Sequence, residues 1–206
     1  MIVKLIAAAV LGLCAVSTSG VMAQQPAPST VRVIEYNGDL AMLMAALPNT
    51  YGVTVGLELD TQARHTVRLS LQDATIADVM NAMVQSSKKF QWQQTGWLVE
   101  VWPAAGSNPL LDTKIGSFNV REASPAEAFD KLLTLPEVEA NMTTLKLKRR
   151  APESGSGELS SPRFSLALEG VTLREALNKI AQESRLAIWT FRNYPNGFFS
   201  ISAETR

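Results

Sequence analysis

Val67-Arg-Leu-Ser-Leu-Gln-Asp-Ala-Thr75-Ile-Ala-Asp-Val-Met80 returns in altered form as Phe164-Ser-Leu-Ala-Leu-Glu-Gly-Val-Thr172-Leu-Arg-Glu-Ala-Leu177, at a constant offset of 97 positions. In the first copy Val67, Leu69 and Leu71 alternate with polar residues. Phe164, Leu166 and Leu168 do the same in the second, the period of a half-buried strand. Thr75 and Thr172 stand where a helix would begin, each with an acid three positions on (Asp78, Glu175), which is the pattern of a capping box. Ile76, Val79, Met80, Met83 and Val84 then follow at helical spacing, as do Leu173, Ala176, Leu177, Ile180 and Ala181. Each set makes one apolar stripe. Trp92 and Trp189 keep the same offset. A repeat of this length implies a tandem of two similar small domains, and any function must suit a duplicated module.

Outward from the repeat, Val31–Tyr36 alternates as a strand, and Leu40, Leu43, Met44 and Leu47 form a helical stripe that Pro48-Asn49 is expected to close. Val53, Val55, Leu57 and Leu59 form a second strand. Short strands at Phe90–Trp92 and Trp97–Trp102 flank a turn at Gln94-Thr95-Gly96. The order is β-α-β-β-α-β-β over 31–103. Residues 104–113 have the Pro/Gly/Ser composition of a linker.

The pattern restarts over 114–206. Ile115, Phe118 and Val120 suggest a strand, and Ser124-Pro125-Ala126-Glu127 combines a cap, a proline at the first helical position and a capping-box acid. Phe129, Leu132 and Leu133 match Leu40, Leu43 and Met44 at an offset of 89. The change from 89 to 97 means a net insertion of eight residues, expected in the Ser/Gly-rich loop near 150–162. The expected fold class is α+β: two tandem βαββαββ domains, each with two helices on small mixed sheets.

The first 23 residues read as an export signal, with Lys4 positive, Leu5–Val16 apolar and Val21-Met22-Ala23 supplying small residues before cleavage after Ala23. The apolar core is too short for a bilayer span. Cys14 follows Leu13, which a lipoprotein signal would not place there. Retention of the segment as an anchor is the alternative. Cleavage removes Cys14, the single cysteine, so the mature chain has no disulfide and holds by packing. Residues 24–30 read as a flexible leader. The mature 183 residues carry 18 basic and 19 acidic groups, a balance that argues against nucleic acid or an anionic membrane surface as partner.

Catalytic chemistry finds little purchase. His65 is the single histidine, so neither a histidine cluster for zinc nor a conventional triad can be assembled. It reads as a surface turn residue. Glu58 and Asp60 alternate with apolar neighbours as a solvated strand face would, and Asp78 reads as a cap. No glycine-rich phosphate loop is present. The chain is expected to be non-enzymatic, with no cofactor and no metal.

Contact candidates are better. Lys146, Lys148, Arg149 and Arg150 form the one basic cluster. Lys146 and Lys148 alternate with Leu145 and Leu147, as on one face of a charged edge strand. Trp97 and Trp102 have opposite parity along one strand, so one ring is expected outside the core. Phe198 and Phe199 pose the same problem in the second copy. The expected protein-binding residues are therefore Trp97, Trp102, Lys146, Lys148, Arg149 and Phe198.

The element order, together with Val67–Asn81, Trp97-Leu-Val-Glu-Val101 and Phe164–Ser202, resembles the short N-terminal domain shared by outer-membrane secretins and TonB-dependent transducers. That resemblance implies a periplasmic protein-docking module without catalysis. Its partner would be another envelope protein, a secretin, pilus or TonB-linked component. Two copies with neither a pore nor a barrel domain before Arg206 depart from that family's usual layout, so the fold transfers better than the role. The expectation is a periplasmic adaptor without an integral membrane span after cleavage, in a secretion, type IV pilus or TonB-linked assembly. The alternative is a cell-wall or polysaccharide-binding module using the exposed aromatics.

Overall fold

Thr75 and Thr172 both start helices in the way their sequence suggests, and the core grows from there. A computed structural model describes residues 31–61, 65–150 and 162–205. The expected export signal, the leader and most of the expected insertion loop lie outside the described residues. In the first half the elements are β1 (Val31–Asp39), α1 (Leu40–Tyr51), β2 (Thr54–Asp60), β3 (Thr66–Ala74), α2 (Ile76–Ser87), β4 (Phe90–Thr95) and β5 (Leu98–Pro103). The second half holds β6 (Lys114–Ala123), α3 (Pro125–Leu133), α4 (Pro136–Thr144), β7 (Lys148–Arg149), β8 (Phe164–Thr172), α5 (Leu173–Glu183), β9 (Leu186–Tyr194) and β10 (Phe198–Thr205). The class is α+β.

The repeat persists down to backbone conformation. Complete capping boxes open α2, α3 and α5. Asp73 and Gly170, at matched positions, have φ of 45° and 64°, and Lys88 and Arg185 have φ of 53° and 54°. Each capping acid accepts hydrogen bonds at an end rich in unpaired N–H groups. The Thr75 hydroxyl, then its N–H, hold Asp78 below the usual carboxylate range; for Glu175 the N–H of Thr172 dominates, then its hydroxyl. A carboxylate depressed on folding contributes stability that is complete above its unfolded value, about pH 4, and vanishes as pH falls through the folded one. Thr75→Val with Thr172→Val should therefore lower stability near pH 7 and flatten its loss below about pH 4, followed by circular dichroism through an acid titration.

Two antiparallel ribbons, β1–β3 and β6–β8, stand apart from one six-stranded sheet of order β4-β5-β2-β9-β10-β7. That sheet is where the two halves meet, since β2 pairs in parallel with β9, Val55 opposite Ile188 and Gly56 opposite Trp189. Within each half the three strands keep one scheme: β4 antiparallel to β5, β5 parallel to β2; β9 antiparallel to β10, β10 parallel to β7.

Side-chain parity then fixes where the helices lie. Val55, Leu57, Val99, Val101 and Ile188 join α1, α2 and the β1–β3 ribbon in one core. Trp189, Phe191, Phe199 and Ile201 join α3, α5 and the β6–β8 ribbon in the other. Because Ile188 and Trp189 are consecutive in one strand, they point to opposite faces. The two halves thus clothe opposite faces of the shared sheet. Strand direction reverses between β4-β5-β2 and β9-β10-β7 while their order does not. The halves are therefore related by half a turn about an axis crossing the strands, combined with a translation along it.

The helix stripes are core: Val79, Met80, Met83, Leu173, Leu177 and Ile180 are fully buried. Leu177→Ala should cost about 2–5 kcal/mol in chemical denaturation; a loss under about 0.5 kcal/mol would place that face outside the core.

Several expectations are corrected. Helix α1 does not stop at Pro48-Asn49 but runs to Tyr51, ending at Gly52 with φ 70°, whose N–H donates to Pro48 O at 3.0 Å. The Tyr51 hydroxyl, donating to Ala74 O at 3.0 Å, anchors that last turn. Residues 104–113 are not a loose linker: Pro109–Asp112 form a 3-10 turn in which Leu110 and Leu111 are fully buried. Helix α4 departs from the expected order, making the second half β-α-α-β-β-α-β-β with three helices rather than two. It buries one residue, Val138, and so leaves no apolar stripe to read.

Candidate functional site

The six expected contact residues fall in two places. Trp97 is not in a strand. It occupies the turn before β5, 47% exposed, with its carbonyl accepting from Thr54 N at 2.7 Å. Trp97 therefore has no strand face to set against that of Trp102, contrary to the expectation of opposite parity along one strand. Trp102 is half-buried on β5, opposite Gln91.

The remaining four gather at the other end of the sheet. Lys148 and Arg149 are the whole of β7, opposite Phe198 and Phe199, with Phe198 40% exposed. Lys146 does not share their strand face, since it sits in a left-handed turn with φ 55°, its carbonyl crowding Gly197. Arg149 is ion-paired to Asp130, and the Arg150 guanidinium lies 5.0 Å from the Tyr194 ring centre. A hollow of about 320 Å³ beside them is lined by Leu145, Leu147, Tyr194 and Gly197, among others. Three strands separate β5 from β7, so these two groups do not form one surface.

Between them runs a polar seam that the alternation of β2 conceals. Glu58 was expected on a solvated face, yet it is 3% exposed. The face it occupies is covered by α5 and by residues 107–108. Arg174 on α5 reaches Glu58 at 2.7 Å and approaches Glu100 at 3.8 Å. Ser107 Oγ donates to Glu58 at 3.0 Å, and Asn108 N also donates to that carboxylate. Asn178 Nδ2 donates to Glu100 at 2.9 Å, and Gln93 Nε2 donates to its other oxygen at 2.7 Å. Trp189 Nε1 donates to Asn178 Oδ1 at 2.9 Å. Its ring abuts Gly56, where an added Cβ would stand 2.8 Å from Cζ2.

His65 is also more engaged than a surface turn residue. Its ring meets Phe90 edge-on at 4.8 Å, and Nε2 lies 3.0 Å from Asp60 O. The seam sets one guanidinium against two carboxylates, and the neutral donors Ser107, Asn108, Asn178 and Gln93 satisfy the remaining carboxylate oxygens, so these groups join the two halves. Among the described residues no group of three or more His, Cys, Asp or Glu is placed to hold a metal ion, and no helix is long and apolar enough to cross a membrane.

The open feature is the β4 edge. Among the described residues β4 has one strand neighbour, β5, and Gln91, Gln93, Gln94 and Thr95 along it are exposed. Trp92 on this strand is half-buried against the first core, and its Nε1 donates to Asn81 Oδ1 at 3.2 Å. Asn81 and Trp92 stand at the positions of Asn178 and Trp189 in the repeat, a pairing the sequence displays without declaring its meaning. No protein-family model matches the chain, and a search of curated proteins finds no match.

Proposed function

We propose that this chain is a non-catalytic periplasmic adaptor that binds another envelope protein, within a secretion, type IV pilus or TonB-linked assembly. The observation that carries the reading is the open β4 edge, which closes a six-stranded sheet beside an exposed tryptophan. An open edge offers a row of backbone donors and acceptors, and a partner that adds a strand satisfies them. The acids nearest to a catalytic arrangement are otherwise employed: Glu58 neutralises Arg174 and Asp78 caps α2. The resemblance to the short N-terminal domain of secretins and TonB-dependent transducers supports the same role and compartment.

The test is capture from envelope extracts by the tagged chain beginning at Gln24, followed by reconstitution with the purified candidate. A stoichiometric complex with an envelope component is expected. Turnover of purified peptidoglycan that a single Asp or Glu substitution abolishes would overturn the adaptor reading. Sedimentation of the chain with peptidoglycan, without any protein complex, would replace it with the wall-binding one.

A further inference from the structure

The molecule contains its own example of what an edge of the β4 kind accepts. Strand β9 is the counterpart of β4, and its outer edge is filled by β2, running parallel, with Gly56 in register with Trp189. A glycine suits that register, because the indole lies where a Cβ would stand, 2.8 Å from Cζ2. Asn178 holds the ring in that position through Nε1.

The first half repeats this device and leaves it uncovered. Asn81 holds Trp92 through the same pair of atoms, from helix and strand positions matched at the 97-residue offset. Trp189 is fully buried and Asn178 nearly so, whereas Trp92 is half-buried and Asn81 exposed.

We infer that the β4 edge accepts an extended segment of a partner protein, added parallel to β4, with a glycine facing Trp92. This rests on the adaptor reading and names its point of contact.

Two differences from the seam narrow the segment's chemistry. Val55 and Leu57, which flank Gly56, pack in the first core beside Ile188. At β4 the matching neighbours are Gln91 and Gln93, both exposed, so the residues flanking the partner's glycine should be polar and uncharged. In the seam Arg174 meets Glu58, two positions after Gly56. Ala77 stands at the matching place in α2, so no acid is required two positions after the partner's glycine. A second copy of this chain is a poor occupant. Its strand equivalent to β2 is β7, two charged residues long, with Arg149 committed to Asp130.

The probe is a nine-residue peptide, TVTQGTQVT, carrying a photo-crosslinker next to its glycine and added to the chain beginning at Gln24. Crosslinks are expected at Gln91–Gln93, with binding weakened about tenfold or more when valine replaces the glycine. Trp92→Phe, checked for unchanged circular dichroism and melting, should relax that discrimination, because the smaller ring leaves room for a side chain. Equal binding of the two peptides, or crosslinks at β7 or β9, would overturn the inference. So would self-association in which a second copy crosslinks to Gln91–Gln93. Partner capture that survives Trp92→Arg would remove this edge and leave the adaptor reading standing, whereas failure of the unaltered chain to form any complex removes the reading itself.

Discussion

Arg174→Ala should destabilise the protein by about 3–5 kcal/mol, the usual consequence of stripping the partner from a buried ion pair. The Arg174 side chain is 15% exposed and serves two carboxylates whose side chains are 4% and 7% exposed. Without it, Glu58 and Glu100 would stand on adjacent strands as two buried carboxylates with no cation between them. Neutral donors remain to each, from Ser107 and Asn108 to Glu58 and from Asn178 and Gln93 to Glu100. They satisfy lone pairs but do not cancel charge. The loss should appear in chemical denaturation, and adding Glu58→Gln and Glu100→Gln to Arg174→Met should recover most of it. If the single variant lost less than about 1 kcal/mol, the seam would be a wet surface cluster rather than a buried one.

Gly56→Ala is the second large effect, and it acts through shape alone. The new methyl would stand 2.8 Å from Trp189 Cζ2 and 2.9 Å from Cε2 and Nε1. The ring is fully buried and tied to Asn178, so it cannot swing aside without giving up that bond. Overpacking of this kind costs about 1–3 kcal/mol, occasionally more. In a Trp189→Phe background the same change should cost less, since the smaller ring vacates the contact. A double-mutant cycle by denaturation reads that coupling directly. Strict additivity would mean that the indole and the glycine do not meet.

What the sequence discloses and what it hides divide along a physical line. Local order is legible: Thr75 and Thr172 announce their caps, the stripes at Met80 and Leu177 announce their buried faces, and the offset of 97 matches the left-handed residues at Asp73 and Gly170 and at Lys88 and Arg185. Long-range coverage is not. Glu58 alternates with Val55, Leu57 and Leu59 as a solvated residue would, because nothing within β2 says that α5, more than a hundred positions later, will lie over it. Position 56 gave no warning either, as one glycine in a strand has many causes. The Lys146–Lys148 stretch misleads in another way. Alternation suggested a strand, but α4 ends just before it and a left-handed residue at Lys146 breaks the run. The matched asparagines, eleven positions before each matched tryptophan, are visible in the repeat, but their bonds to the indoles are not.

The seam also sets the order in which the chain can mature. Thr54 Oγ1 donates to Leu186 O, groups 132 positions apart, and the whole β2–β9 ladder closes loops of that size. Contacts so distant in the chain form late, because closing a long loop is slow. Until then the first half presents β2, rich in valine and leucine, as a second bare strand edge, on the far side of β5 from β4. That interval is the one in which chains associate wrongly. A protein cut near Gly106 should therefore aggregate on refolding, with its amino-terminal portion the culprit. The intact chain should escape, since its own later portion covers that edge through β9 and acts as a tethered chaperone for the earlier one.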